Sequence, residues 1–134
     1  MTTTAPYPAF HFEVELGGGS GAFAEVHGLA GARTIHTYRN GDEAVVRTLI
    51  ELDRPSPVSL RRGIMGSLDL HQWYRAPRPR EVVVSLLDAD QQPVQRWRLR
   101  GCVPTALVGP RLGALRNEVA IEELVLQPAA IAVE

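Results

Sequence analysis

The sequence predicts a mainly β fold, with two packed antiparallel sheets forming a β-barrel-like domain and one flanking α-helix. Many short segments alternate apolar and polar residues, which is the pattern of half-buried strands. Turn residues separate these segments at short intervals, and only residues 66–75 place apolar side chains at helical spacing. The 134 residues have room for one core, so we expect a single domain over 1–134. Its ends, about 1–9 and 127–134, are expected to be flexible or to pack on neighbours.

Alternation and turn signals define the strands in chain order. FHFEVEL alternates apolar residues with His and Glu, and the GGGSG that follows breaks it, so the first two strands are predicted to form a hairpin. Asn40-Gly41 signals a tight turn. The prolines of DRPSP, residues 53–57, cannot donate to a ladder and predict a loop. The predicted strands span 10–16, 22–29, 32–40, 45–52, 58–62, 81–87, 94–102 and 118–126.

The predicted helix begins with a capping pattern. Ser67 is the expected N-cap, and Asp69 lies in the first turn, where the helix dipole favours negative charge. Leu70, Trp73 and Tyr74 lie at i, i+3 and i+4 and form one apolar face. We therefore expect the helix to cover the core of the β-domain.

Composition excludes several classes of protein. The net charge of −1 provides no global field that would collect nucleic acid. All fourteen basic residues are Arg, a bias that the codon usage of a GC-rich genome explains and that also suits bidentate contacts at interfaces. One cysteine excludes an internal disulfide framework. The first ten residues carry no basic or apolar region typical of a signal peptide, so we expect synthesis in the cytoplasm.

No group of residues has the spacing of a catalytic, cofactor or metal site. GGGSGA resembles a dinucleotide loop, but a strand follows it where such a loop requires a helix. Cys102 has no partner base in the sequence and is interpreted as a small buried apolar residue. Glu122 and Glu123 are adjacent on a strand and point to opposite faces. The four histidines lack metal-site spacing: His11, His27, His36 and His71.

The segment RWRLR is the most distinctive charged feature. Arg96, Arg98 and Arg100 share one strand face, whereas Trp97 and Leu99 take the other. Such a face binds single-stranded nucleic acid in some proteins, pairs with carboxylates of a neighbouring subunit in others, and is simply solvated in many. Val94, Trp97 and Leu99 would not all lie on one face of a regular strand, which predicts a bulge near residues 95–96. In LRRG the adjacent arginines alternate in the same way, so only one of the two faces any given partner.

Several blocks in order resemble the tail-tube proteins of contractile phage tails and of phage-tail-like contractile injection systems. FHFEVEL and GAFAEVHGL are similar to the family's first strand and its return, and YRNGDE to its turn. VSLRRGI and the Trp-containing helix, then REVVVSLLD, follow in the family's order. GCVPTALVGPRLGALRNEVAIEELVL is similar to its C-terminal region. The resemblance covers about 10–126. The chain lacks the family's Leu-Pro-Gly turn in 46–57, and Val103 stands where the family usually has Trp.

The resemblance implies a structural role without catalysis or cofactor. Six subunits would form a ring, and rings would stack into a hollow tube that a contracting sheath drives through an envelope. The partners implied are other copies of the chain, the sheath, and baseplate or tube-initiator proteins, with nucleic acid or cargo only as tube content. The alternative is a monomeric β-barrel module that binds single-stranded nucleic acid or a ligand through the Arg-rich strand.

We expect three kinds of assembly surface: the loops at 17–21 and 40–57, the helix, and the strands around RWRLR and 118–122, whose choice between inner wall and subunit seam stays open. The residues expected there are Gly17, Gly18, Gly19, Ser20, Gly21, Asn40, Gly41, Asp42, Glu43, Arg61, Arg62, Leu70, Trp73, Tyr74, Arg96, Arg98, Arg100, Asn117, Glu118 and Glu122.

Overall fold

A computed structural model of the chain describes residues 5–17, 20–42, 44–50 and 53–134, with residues 20–21 described through their backbone alone. Within these ranges the fold is mainly β with one helix, which confirms the predicted class. The helix α1, Asp69–Arg75, lies between β8 and β9. The strands are β1 Phe12–Glu15, β2 Ser20–Gly21, β3 Glu25–His27, β4 Gly31–Ala32, β5 Ile35–Tyr38, β6 Arg47–Ile50, β7 Arg54–Pro55, β8 Val58–Gly63, β9 Arg80–Leu87, β10 Pro93–Val108, β11 Ile121–Gln127 and β12 Ala130–Val133.

Eight strands form one antiparallel sheet that divides at β10. The order is β2-β1-β9-β10-β11-β8-β3, with β12 also paired to β10. β10 pairs with β12 up to Arg100 and with β9 up to Cys102, and it pairs with β11 from Val103 onward. Gly101 has a φ of +62°, and the β9–β10 register shifts between Leu99 and Cys102. A bulge of this kind bends a strand, so one strand belongs to two layers.

We call these layers sheet A and sheet B. Sheet A contains β2, β1, β9, the first half of β10 and β12; sheet B contains the second half of β10, β11, β8 and β3. The inward side chains of both sheets share one core with α1, and alternate residues of β8 and β11 are buried in it. Its buried members are Val14, Leu16, Val58, Leu60, Leu70, Trp73, Val82, Val84, Leu99, Cys102, Leu124 and Leu126.

Two short ladders lie outside the main sheet. β4 pairs with β7, and β5 pairs with β6. We call the β5–β6 hairpin the arm. It is connected to the body through β4 and β7, and Gln127 Nε2 of β11 donates a 3.0 Å hydrogen bond to the Pro55 carbonyl of β7.

Several sequence-based expectations are corrected. Residues 22–29 do not pair with β1, because β1 pairs with β9 while β3 crosses to sheet B and pairs with β8. DRPSP is not wholly a loop, since β7 forms there. Ser67 is not the N-cap; the helix begins after Leu68 without a side-chain cap. The C-terminal residues, expected to be flexible or to pack on neighbours, form β12 on β10 of the same chain.

Other expectations are confirmed. β8 and β9 lie where alternation predicts them, within one or two residues. The irregularity predicted near 95–96 is a register shift between Pro93 and Gln95. Residues 109–117 form a loop. No helix among the described residues is long and apolar enough to cross a membrane.

Candidate assembly surfaces

The helix is held to the body mainly by Trp73. Leu70 and Trp73 are each 1% exposed. The indole Nε1 donates a 2.9 Å hydrogen bond to the Arg78 carbonyl, and the Arg80 guanidinium lies 4.9 Å from the ring centroid. Tyr74, expected on the same apolar face, is 42% exposed instead. The helix face with Leu70 and Trp73 therefore packs in the core, whereas Tyr74 lies at the surface.

An ion-pair cluster, buried at Arg62 and Glu122 and half exposed at Asp69, joins three elements at the N-terminal end of α1. Arg62 of β8 donates through Nε to Glu122 Oε1 of β11 at 2.7 Å. Its two terminal nitrogens both bond Asp69 at the start of the helix, the longer contact being 3.3 Å. The guanidinium also lies 5.5 Å from the Phe23 ring centroid. Because Arg62 and Glu122 are cross-strand partners, the strand register itself creates the pair.

The cluster fixes the charge state of its members. The hydrogen bonds from Arg62 hold the pKa of Asp69 below its ordinary value, against the opposing effect of burial. The pKa of Arg62 is raised, first through its bond to Asp69 and then through Glu122. A planar guanidinium suits this geometry, since it donates in several directions at once. The cluster therefore locks α1 onto sheet B.

The outer face of sheet A carries the arginines of RWRLR. Arg98 is half-buried, bonds Glu81 of β9, and donates through Nε to Glu134 Oε1 at 2.9 Å. These two carboxylates raise the pKa of Arg98, and Arg98 in turn lowers that of Glu134. Arg96 and Arg100 are exposed. The central arginine of the row is thus neutralised within the subunit, which weakens the row as a nucleic-acid surface.

Sheet B has two edges with no strand partner among the described residues. One is β3, which pairs with β8 alone. The other is the second half of β10, which pairs with β11 alone from Val103 to Val108. Unpaired backbone donors and acceptors at such edges are templates for pairing with another chain. The outer face between the edges has a charged row, with Arg61 opposite both Glu123 and Glu25 and bonded to Glu25 at 3.3 Å.

The arm is exposed along its whole length. Every residue of β5 and β6 is exposed, although several are large and apolar. Ile35 is 58% exposed, Leu49 56% and Ile50 61%. A lone two-stranded hairpin is only marginally stable in water, so these side chains form an apolar surface without cover in the isolated subunit.

An apolar cleft of about 370 Å³ lies between sheet A and the β3 edge of sheet B. Its walls include Phe12, Val84 and Trp97 from sheet A, and Val26 and Leu29 from the β3 segment. Tyr7, Ala9, Ala24, Glu25 and Leu86 complete the lining. Apolar concave surfaces of this size are typical binding sites.

A third exposed apolar surface lies at the end of β8. The backbone N–H of Ile64 bonds the Ala120 carbonyl at 2.9 Å, which brings the residues after β8 beside the 109–120 loop. Met65, Leu112, Leu115 and Val119 are all exposed there. The arm leaves the body near the start of β8, so these two surfaces lie at opposite ends of the strand.

The structure divides the residues expected at assembly surfaces into three groups. Gly18, Gly19 and Glu43 lie outside the described residues, and for Ser20 and Gly21 only the backbone pairing in β2 is described. The buried group is Arg62, Leu70, Trp73 and Glu122. The exposed or half-buried group is Gly17, Asn40, Gly41, Asp42, Arg61, Tyr74, Arg96, Arg98, Arg100, Asn117 and Glu118.

Sequence reasoning did not identify the cleft, and it placed only part of the arm, within 40–57, at an assembly surface. Alternation in 32–40 and 45–52 predicts two strands of the packed sheets, whereas every residue of β5 and β6 is exposed. A signal was present, since 32–40 and 45–52 together contain three arginines and three threonines, but it does not distinguish a self-contact from a contact with another chain. The cleft combines residues that are distant in sequence and has no local pattern.

The described part of the chain contains no group of three or more His, Cys, Asp or Glu side chains placed to hold a metal ion. Cys102 is buried, and burial raises the pKa of its thiol to about 11. The thiol donates to the Leu99 carbonyl at 3.5 Å. It is therefore protonated near neutral pH and packs as a core residue.

The fold is similar to solved structures of contractile injection systems. A chain of the anti-feeding prophage tube-terminating cap aligns with a TM-score of 0.90 at 20% identity, covering 100% of this chain and 94% of that one. A chain of the PVC sheath–tube complex in its extended state aligns with a TM-score of 0.89 at 22% identity, covering 100% and 99%. A chain of the six-fold symmetrised anti-feeding prophage baseplate gives 0.84 at 23%, covering 98% and 97%.

The search of curated proteins found no match. The family model described as "T4-like virus tail tube protein gp19" matches residues 8–131, nearly the whole chain. This confirms the resemblance carried by FHFEVEL and the later blocks. The chain belongs to the T4-like virus tail tube protein gp19 family.

Proposed function

We propose that this chain is a structural subunit of the inner tube of a contractile phage tail-like particle. Six copies join head to tail into a ring, and rings stack into a hollow tube. The observation that carries the proposal is sheet B, a layer of strands with two unpaired edges of opposite direction. A closed ring of heterologous contacts needs two different complementary surfaces on each copy, and the edges provide them.

Strand direction favours sheet B as the part that joins copies. Its order is β10, β11, β8 and β3, and every neighbouring pair is antiparallel. The two edge strands therefore run in opposite directions. When a copy is rotated about an axis near the strand direction, its β10 edge meets the next copy's β3 edge in antiparallel orientation. The same ladder then continues around the ring without a change of pairing type.

Sheet A is less suited to that task. Its order is β2, β1, β9, β10 and β12, and all of its pairs are antiparallel. With an odd number of strands its edges run in the same direction, so rotation would bring them together in parallel. β2 also has only two residues. The charged outer face of sheet A is better suited to contacts with other proteins.

The surface residues expected from the sequence fit this arrangement as contacts. Gly17, the Asn40–Asp42 turn, Tyr74 and the Asn117–Glu118 loop are all exposed. The buried residues Arg62 and Trp73 position the helix that presents Tyr74, and so act on assembly indirectly. We propose that Arg96 and Arg100 pair with carboxylates of a neighbour, because Arg98 between them is already neutralised within the subunit.

The partners are inferred from the assemblies in which the similar chains were solved. Those structures are of a sheath–tube complex, a tube-terminating cap and a baseplate. We propose that this chain contacts sheath and baseplate or initiator proteins in the same way, within an assembled particle, and that it catalyses no reaction. The surface chemistry supports a building block, since the exposed features are strand edges, apolar patches and paired charges.

The experiment that tests the proposal is negative-stain electron microscopy of the purified protein together with its sedimentation profile. Six-fold rings or hollow tubes are the expected result. A matched pair of variants tests the edge argument: Ala106→Pro on the β10 edge removes a backbone donor, whereas Gly109→Pro lies just beyond the strand. Loss of rings in the first alone supports joining through sheet B. A protein that stays monomeric both alone and with a nucleating baseplate would refute the proposal.

A further inference from the structure

One apolar row of side chains crosses the core side of sheet B from edge to edge. The strand register pairs each member with the next, in the order Val26, Leu60, Leu124 and Leu107. Paired residues share a face. Leu60 and Leu124, in the middle of the row, are each 0% exposed, whereas Val26 and Leu107, at the two edges, are only partly buried. The row is therefore fully packed in the middle and incompletely covered at both ends.

Val26 and Leu107 are the inward apolar side chains that the two edges offer. β3 has three residues, and only Val26 shares the face of Leu60, because alternate residues of a strand point to opposite faces. On the β10 edge, the preceding inward residue is Pro104, paired with Leu126. Pro104 is already buried and has no backbone N–H to donate to a further strand.

These edges restrict the register in which the β10 edge of one copy can join the β3 edge of the next. A slip by one residue would place the inward Val26 opposite the outward Ala106 or Val108, and would turn apolar side chains to the outer face. A slip by two would bring β3 against Pro110 on one side, or against Pro104 and the adjoining register shift on the other. Residues 106–108 form the regular stretch between these irregularities, and they match the three residues of β3. The remaining register places Val26 opposite Leu107.

The charges of the outer face are compatible with this register. It places Glu25 opposite Val108, and His27 opposite Ala106, so that no carboxylate lies directly opposite another carboxylate across the joint. Like charges in directly opposite positions would be destabilising. Glu25 keeps its 3.3 Å ion pair with Arg61 of its own subunit.

We propose that Val26 of one copy packs against Leu107 of the next copy, so that the apolar row of sheet B continues from subunit to subunit around the ring. Val26 also lines the apolar cleft between sheet A and β3. The β10 strand of the next copy therefore lies along that rim of the cleft, and burial of the two partly exposed ends removes apolar surface from water. This inference rests on the proposed function, because that function supplies the joint between the edges.

Cysteine cross-linking tests the contact in the full-length protein. The variant Val26→Cys with Leu107→Cys places two thiols directly opposite each other across the joint, where Cα atoms lie about 4.5–5.5 Å apart and a disulfide can form. Within one copy the two positions are separated by three strand spacings, or about 14 Å, so that any link joins two copies. The parent's Cys102 is buried, and the parent alone should give no linked species.

The matched control moves one thiol by a single residue to the other face of β3. It is His27→Cys with Leu107→Cys, since His27 adjoins Val26 and is exposed. After mild oxidation, we expect a ladder of linked oligomers on a non-reducing gel for the Val26 pair and a several-fold weaker ladder for the His27 pair. A third variant, Val26→Cys with Gly109→Cys, reports the register that is two residues away.

The outcomes separate the inference from the function beneath it. If the parent forms rings or tubes but the Val26–Leu107 pair gives no ladder, or one no stronger than either other pair, the inferred contact is overturned and the tube function stands. If the parent forms neither rings nor tubes, also with a nucleating baseplate, the function fails and the inference falls with it.

A second measurement does not depend on disulfide chemistry. Leu107→Ala should raise the protein concentration needed for ring formation several-fold, because it shortens one end of the row. Val108→Ala, at the next and outward position, should change that concentration by less than about twofold, as expected of a surface substitution. Val26→Ala tests the same contact from the other edge if Leu107→Ala does not fold. Equal effects of the inward and outward substitutions would overturn the inference.

Discussion

At the scale of single residues, Arg62 connects three elements of the molecule. Its guanidinium bonds Glu122 across the strands and Asp69 at the helix start, and all three are anchored on different elements. Replacing both partners of a buried ion pair by apolar residues often changes stability little. Removing only one partner is strongly destabilising, because it leaves an uncompensated buried charge. The position of the helix therefore depends on the register of β8 against β11, because that register pairs Arg62 with Glu122 and so orients Arg62 toward Asp69.

Glu122→Ala should destabilise the subunit by about 3 kcal/mol, because Arg62 Nε loses its acceptor inside the core. Urea unfolding of the unassembled protein measures this loss. Glu123→Ala is the matched control, since Glu123 is the next residue and points to the outer face; it should change stability by at most about 0.5 kcal/mol. Equal effects of the two substitutions would contradict the assigned role of the pair.

The Asp69 carboxylate predicts acid sensitivity of the helix attachment. Its folded pKa lies below the unfolded value of 3.8 because Arg62 stabilises the charged form. Its contribution is therefore fully present above the unfolded pKa and is lost as pH falls through the folded pKa. Asp69→Asn should lower stability at pH 7 and flatten the decline of unfolding free energy between about pH 5 and pH 2. Parallel pH curves for the parent and variant would exclude this linkage.

At the scale of elements, the arm shows the limit of strand patterns. Alternation correctly indicated strands at 32–40 and 45–52, but every residue of β5 and β6 is exposed. A two-residue alternation of apolar and polar side chains indicates that one face of a strand contacts apolar surface. It does not indicate whether that surface belongs to the same subunit or to another. In β8 and β9 the same pattern points into the subunit's own core. Only the tertiary structure separates these cases.

Local sequence patterns also did not predict which strands pair with each other. The first two strands were predicted to pair because they are adjacent in sequence and separated by glycines. In the structure β3 pairs with β8 instead, and Gly28, directly after β3, lies against the residues that lead into β8. Its φ is +95°, and a Cβ there would lie 2.2 Å from the Pro57 carbonyl oxygen. Non-local pairing of this kind depends on the whole chain, whereas the position of α1 could be predicted from its apolar spacing.

The helix is expected to depend on Trp73 far more than on its neighbour. Trp73→Ala removes a fully buried indole and the hydrogen bond to Arg78, and should destabilise the subunit by about 3–5 kcal/mol. Tyr74→Ala, at the next and exposed position, should cost at most about 1 kcal/mol and act instead on assembly. Thermal melts followed by circular dichroism compare the two. Unchanged melting of Trp73→Ala would contradict the anchoring role.

At the scale of the whole molecule, charge supports assembly with itself over binding to nucleic acid. The net charge is −1, and Arg98 is paired within the subunit. Fluorescence anisotropy with a labelled single-stranded oligonucleotide should show no saturable, salt-dependent binding. The variant Arg96→Ala with Arg100→Ala should leave that result unchanged. Affinity that falls with salt and disappears in the variant would instead favour the monomeric binding module.

The bend in β10 has a mechanical consequence. The strand runs for sixteen residues through both layers, so the layers are joined by continuous covalent backbone as well as by packing. A push along the strand loads the β9 ladder on one half and the β11 ladder on the other, and it shears many hydrogen bonds at once rather than opening them one by one. A hollow shaft built from such subunits would transmit thrust through its wall with little compression.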